Sequence, residues 1–153
     1  MGGTAETWRG QCIQLFAELE QIIEGLLQEL HAHPKIRKQV KTGQPVGAAF
    51  KHVRDLTGTK GPFASKGAAI TSTLNHLALW FDWRAHLTHG VLSLWQGRNR
   101  NWLLTFAHRP TGDATVRVHA IAWEDAQIMK RVLQEQVPKL QDNARSLAAS
   151  IKS

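Results

Sequence analysis

The residue types best suited to chemistry are concentrated in Trp80-Phe81-Asp82-Trp83-Arg84-Ala85-His86-Leu87-Thr88-His89-Gly90-Val91, where four ionisable side chains fall inside eight residues of an apolar stretch. Charge kept in apolar surroundings costs free energy unless it is paired, and such groups concentrate at functional sites. Arg84 and His89 make an Arg-x4-His pair. A guanidinium is permanently charged, and its planar fork matches a phosphate or the crowded phosphorus of a transition state. An imidazole titrates near neutrality and exchanges protons with a ribose hydroxyl or a leaving oxygen. Together they could cleave RNA without a metal, because the neighbouring 2′-hydroxyl is the nucleophile. His86 and Thr88 lie between them and could assist by hydrogen bonds. Five helical residues put Arg84 and His89 about 140° apart. A cleft between two copies, the length of the arginine, or distortion at Gly90 must then bring them together. The competing reading makes Arg84 a buried anchor paired to a carboxylate of the first helix.

Two weaker constellations surround this pair. Asp82, His86, His89 and Ser93 fall on one helical stripe, at spacings of four, three and four. The first three could ligate a divalent ion. No fourth ligand or second carboxylate accompanies them, so the expectation is a polar stripe, with no metal and no cofactor. His31 and His33 before Pro34 read as capping or solvated residues. Six tryptophans and no tyrosine mark the chain. Tryptophan faces stack on bases, but most of these lie on apolar rows and read as core or interface packing. Trp102, beside Arg98, Asn99, Arg100 and Asn101, is the best placed to contact nucleic acid. No Ser/His/Asp order, paired-carboxylate signature or dinucleotide fingerprint is present, and Thr57 to Pro62 lacks the spacing of a phosphate-binding loop.

The elements that must position these residues are mainly helical. Trp8, Cys12, Leu15, Leu19, Ile22, Leu26 and Leu30 recur at alternating spacings of four and three, which predicts a helix from about Thr4 to His31, ended by Pro34. A basic connector follows, with Lys35, Arg37, Lys38 and Lys41 and no acid. It is either a solvated loop or a phosphate-facing segment. A short helix is expected from about Val46 to Leu56, with Gly58 just past its end. A third, from an N-cap at Ser65 to about Leu94, carries the Arg84 stretch. On it Ile70, Leu74, Leu77, Phe81, Arg84, Thr88, Val91 and Trp95 form one row. A second row of Trp80, Trp83, Leu87, Gly90 and Leu94 is offered to a second surface, such as another subunit. Period-two alternation around the turn signal Arg109-Pro110-Thr111-Gly112-Asp113 predicts a β-hairpin over about 101–121. Helical spacing returns from Trp123, with an expected kink at Pro138. The fold class is mainly α, a four- to five-helix bundle with one inserted hairpin, in a single domain over 1–153.

Composition bounds the partners. Nineteen Lys and Arg against twelve Asp and Glu give a formal charge of +7, which favours polyanions such as RNA through phosphate contacts. Lys35, Arg37, Lys38, Lys41, Arg98 and Arg100 are the candidate backbone-holding residues. The lone Cys12 permits no internal disulfide. The start lacks a basic region followed by an apolar run, and no apolar run is long enough to span a bilayer. A soluble, cytoplasmic protein without membrane attachment is expected.

On these residues the chain resembles the HEPN superfamily. Its members are four- to five-helix bundles, often homodimeric, with an Arg-x4-6-His motif near the end of a long helix. Arg84 and His89 match the motif, and Gly90 follows the histidine. The resemblance covers most of the chain in helix order, while its specific part is these few residues. It implies a metal-independent endoribonuclease with a composite site across a dimer cleft. It also implies membership of a group rich in toxins and antiphage effectors, with an antitoxin or other protein partner. Other members are inactive and serve as binding or dimerisation modules, which is the alternative here. A metal-bound helical bundle is the third reading.

Overall fold

Helices dominate because apolar residues recur at helical spacing over most of the chain, and the period-two stretch supplies a small sheet. The structure is a computed structural model and describes every residue except Asp113 and Ser153. Helix α1 spans Gly2–Ala32, α2 Val46–Thr57, α3 Ala68–Ala78, α4 Trp83–His89 and α5 Trp123–Lys152. Strands β1 (Val91–Gln96), β2 (Trp102–His108) and β3 (Arg117–Ala122) lie between α4 and α5. The protein is thus mainly helical with a three-stranded antiparallel sheet, ordered β1-β2-β3. No helix among the described residues is long and apolar enough to cross a membrane. Contacts group the chain into two compact units, Met1–Phe16 with Leu79–Leu133, and Ala17–Ala78 with Gln134–Ser153.

The helix expected from Ser65 to Leu94 is broken twice. It starts later, at Ala68, and stops at Ala78. The amides of Trp83 and Arg84 then donate to Trp80 and Phe81, three residues back, in a turn. A run of bulky aromatics interrupted by Asp82 has weak helix propensity, so the turn competes well there. The second break is at Gly90, whose extended backbone (φ −81°, ψ 144°) hands the chain to β1. Val91 to Gln96 then pairs with β2, from Val91 opposite Ala107 to Gln96 opposite Trp102. The expected hairpin is present as β2 and β3, and this third strand joins it. The Asp113 end of its turn signal lies outside the described residues. These breaks re-phase the expected rows. Phe81 is buried, but Thr88 is exposed and Val91 and Trp95 face solvent, while Leu87 of the second row is fully buried.

In the first unit the sheet buries one face. Leu104 and Phe106 are fully buried, and the register sets Ile121 opposite Leu104 and His119 opposite Phe106. That register assigns His119 and Ile121 inward and leaves Val118 exposed, and Val116, before the strand, is exposed as well. A one-residue change of phase moves a whole strand's set to the other face. Trp8 of α1 closes the core, 6.2 Å from the Phe106 ring and 6.1 Å from Trp123. Its indole N–H donates to the Ala126 carbonyl at 2.7 Å. Lys130 donates to Gln11 at 3.2 Å. The partners advance together along both helices, so the starts of α1 and α5 run in the same direction.

Cys12 sits in this core, and burial pushes its thiol up to about 12, against a smaller opposing pull from Lys130. A thiol is nucleophilic only as thiolate. Iodoacetamide at pH 8 is therefore expected to leave native Cys12 unmodified and to label it in urea. Comparable labelling rates, followed by mass spectrometry, would contradict that environment.

In the second unit, Leu19, Ile23, Leu26, Leu27 and Leu30 of α1 are buried, as are Phe50, Val53 and Leu56 of α2. The α3 residues Ile70, Leu74 and Leu77 complete the set. Thr71 donates to the Thr57 hydroxyl at 2.7 Å, which itself donates to the Val53 carbonyl at 2.8 Å. Arg37 caps α1 by donating from Nε to the His31 carbonyl at 3.0 Å and from Nη2 to the Ala32 carbonyl at 3.3 Å. Those carbonyls have no partner within the helix, and a cation suits that end. Helix α5 continues through Pro138.

Candidate functional site

Helix α4 carries the three expected catalytic residues, Arg84, His86 and His89, and Arg9 of α1 holds it. The Arg9 guanidinium donates from Nε to the Leu87 carbonyl at 2.8 Å and from Nη2 to the Gly90 carbonyl at 2.7 Å. Its charge also lies 5.8 Å from the centre of the Phe106 ring. One side chain therefore ties α1, the end of α4 and β2 together. The chain end of α4 is further closed by the Gly90 amide, which donates to the His86 carbonyl at 2.9 Å. Leu87, fully buried, anchors the helix from below.

The expected residues separate on this scaffold. Arg84 is half-buried, with its guanidinium 5.5 Å from the Phe81 ring centre. His89 is exposed at the last position of α4. The Thr88 hydroxyl is turned back along the helix and donates to the Arg84 carbonyl at 2.8 Å. Trp83 was expected on a second surface, but it packs edge-on against Phe106, at 5.9 Å and 76°. His86, expected on a stripe with Asp82 and His89, is gathered with two residues that spacing on α4 could never reveal.

Those residues are His108, the last of β2, and His119 of β3. One ligand-capable atom from each of His86, His108 and His119 lies within 4.8 Å of the other two. The His86 and His119 rings stack, with centroids 3.5 Å apart and planes 14° apart. His108 lies 5.9 Å from each. Trp83 closes one side, edge-on to His86 at 5.3 Å and to His119 at 6.4 Å. All three histidines are partly buried, and Nδ1 of both His86 and His108 is sealed from solvent without a hydrogen-bond partner. Each such unsatisfied atom costs about 1–3 kcal/mol. Burial lowers the His86 pKa most, with His119 and His108 adding to it, while Asp82 pulls the other way. Each ring carries nitrogens that can act as ligands, so the cluster brings three such groups close together.

Sequence spacing could have flagged His108, which shares its parity with Leu104 and Phe106 and so continues the inward face of β2. His119 was hidden because only the register of β3 on β2 decides which of its alternating sets turns inward.

The candidate nucleic-acid residues lie on two separate segments. Lys35, Arg37, Lys38 and Lys41 are all exposed, with Arg37 engaged in capping α1 and the Lys41 amide donating to His52 at 3.0 Å. Arg98 and Arg100 occupy the exposed β1–β2 turn, where Arg100 adopts a left-handed backbone with φ 61°. Trp102 is half-buried and lines a shallow cavity with Arg100, Asn101 and Trp123. Trp95, which stood on an apolar row, is the more exposed indole at 59 %. Its N–H donates to Thr105 across the strand pair at 2.9 Å. No protein-family model, no curated protein and no solved structure matches the chain.

Proposed function

We propose that the chain cleaves RNA without a metal, as its resemblance to the HEPN superfamily implies. Arg84 steadies the phosphate, and His89 exchanges the proton. The observation that supports this reading is α4 itself. Seven residues carry both groups, Arg9 fixes the end of the helix, and His89 stands exposed there. A charge of +7 favours the polyanion. Because five helical residues separate the pair by about 140°, two copies supply the site, with Arg84 of one and His89 of the other at a single phosphate. The helices then pack as a HEPN bundle and pair as a homodimer. Lys35, Lys38, Lys41, Arg98 and Arg100 hold the backbone. A role as a cytoplasmic toxin or defence effector, restrained by a protein antitoxin, follows from the same resemblance.

The test is cleavage of structured and single-stranded RNA in the presence of EDTA. Arg84→Ala and His89→Ala should each lower the rate by about 100-fold or more, the size of a lost acid–base or electrostatic contribution. Their circular dichroism should remain that of the parent. Cleavage that survives both substitutions, or that disappears with EDTA, rules the mechanism out. RNA binding with no cleavage would assign the chain to the inactive binding modules instead.

A further inference from the structure

The geometry points to a metal site distinct from the Arg84 and His89 pair: we infer that His86, His108 and His119 bind one divalent ion of the zinc, nickel and copper class through three imidazole nitrogens. The three side chains arrive from different elements, α4, β2 and β3, and their donor atoms meet within 4.8 Å. Chance clustering on a solvated surface would leave their nitrogens bonded to water. Here the Nδ1 atoms of His86 and His108 are instead shut away from solvent and bonded to nothing. An ion would bind one nitrogen of each ring and fix its tautomer, leaving the other to donate.

The donor set selects the ion. Imidazole suits zinc, nickel and copper, whereas calcium and magnesium require oxygen ligands. Zinc–imidazole bonds of about 2.0–2.1 Å in a tetrahedral arrangement place the nitrogens about 3.3 Å apart. The His86 and His119 rings are parallel and stacked, so their lone pairs converge only after a rotation about the side-chain torsions. Such torsions for the terminal ring are broad and soft. Trp83, edge-on to both rings, limits how far they can turn. Three protein ligands leave the fourth tetrahedral position to water, the arrangement of an open site. Asp82, the acid whose charge acts on His86, offsets part of the ion's charge. The bound ion would also clamp α4 onto β2 and β3.

The full-length chain is titrated with zinc against a chromogenic chelator, and cobalt is added in parallel for its visible spectrum. The expected result is one ion per chain, with a Kd of about 1 μM or lower, and cobalt absorption of tetrahedral intensity. Zinc at about 100 times Kd should raise Tm by about 5 °C or more, through binding to the folded state alone. His108→Ala and His119→Ala should each weaken binding about 100-fold or more and abolish the Tm shift, while the exposed His76→Ala binds as the parent does. Circular dichroism confirms that each variant folds, and His119→Gln, which keeps most of the side-chain volume, replaces any alanine variant that does not. The inference is overturned by no saturable binding up to about 100 μM, a range in which a three-imidazole site should fill. It is equally overturned by binding that His108→Ala and His119→Gln leave unchanged. Zinc binding without RNA cleavage would retain this site and remove the nuclease reading, and the reverse result would do the opposite.

Discussion

Phe106→Ala is expected to destabilise the protein by about 3–5 kcal/mol, the usual cost of emptying a buried aromatic position. Phe106 is fully buried at the centre of β2. Its ring meets Trp8 of α1 at 6.2 Å and Trp83 of α4 at 5.9 Å, and the Arg9 charge lies 5.8 Å away. Tilted and edge-on aromatic pairs add about 0.5–1.5 kcal/mol each beyond the area they bury, so the figure should fall in the upper half of the range. The neighbours cannot collapse into the void, because Trp8 is fixed by its bond to Ala126 and Arg9 by its two bonds to the end of α4. Urea unfolding measures the change. Leu103→Ala is the reference, since Leu103 lies on the opposite face of the same strand and is 39 % exposed. It should cost less than about 1 kcal/mol. Similar losses in the two variants would mean that the inward face of the sheet is not the packed one.

The same residue shows how far the sequence could be read. The alternation of Trp102, Leu104 and Phe106 with Leu103, Thr105 and Ala107 marks β2 as a strand without a structure, because a strand's period is two. The structure buries the Leu104 and Phe106 face. The apolar seam of α1 is largely legible: Trp8, Cys12, Leu19, Leu26 and Leu30 are buried. Leu15 and Ile22 of the same seam are half-buried, and the flanking Phe16 and Ile23 are buried beside it. The stretch from Leu79 to Gln96 is not legible. Val91 and Trp95 continue one helical row and Leu94 the other as well as they fill a strand, and the choice is made by the pairing of β1 with β2. Such pairing is tertiary and overrides local propensity. The site shows the same division. Arg84, His86 and His89 stand out by type and spacing on one segment. His108 and His119 lie 22 and 33 positions beyond His86 and join it only through the turn of α4 onto the sheet and the register of β3. Arg9 was silent for a related reason. A cation near the start of a helix reads as solvated, and nothing in the sequence announces that it reaches the end of another helix.

Gly90→Val should cost more than about 3 kcal/mol, and Gly90→Ala about 1–3 kcal/mol, as overpacking against rigid neighbours does. The reason is space rather than backbone freedom, since φ −81° with ψ 144° is open to every residue. A methyl group placed on Gly90 would lie 2.5 Å from the His86 carbonyl oxygen and 2.7 Å from the Phe106 Cβ. Neither neighbour can swing aside, for one is backbone in the last turn of α4 and the other is the root of a buried ring. Relief must come from lifting α4 off β2, which also loosens the two bonds from Arg9 to the Leu87 and Gly90 carbonyls. Because His86 belongs to that turn, the displacement carries its ring away from His108 and His119. Gly90→Ala should therefore weaken zinc binding along with stability, whereas a loss confined to stability would show that the triad does not depend on the seating of α4. The second measurement separates this from general destabilisation. Leu74→Ala, in the buried set of α3 within the other unit, should cost about 2–5 kcal/mol yet leave the affinity for zinc of the folded protein unchanged. If Gly90→Ala unfolds at the same urea concentration as the parent, the close approach of α4 to β2 is wrong, and the positioning argument for both proposed sites fails with it.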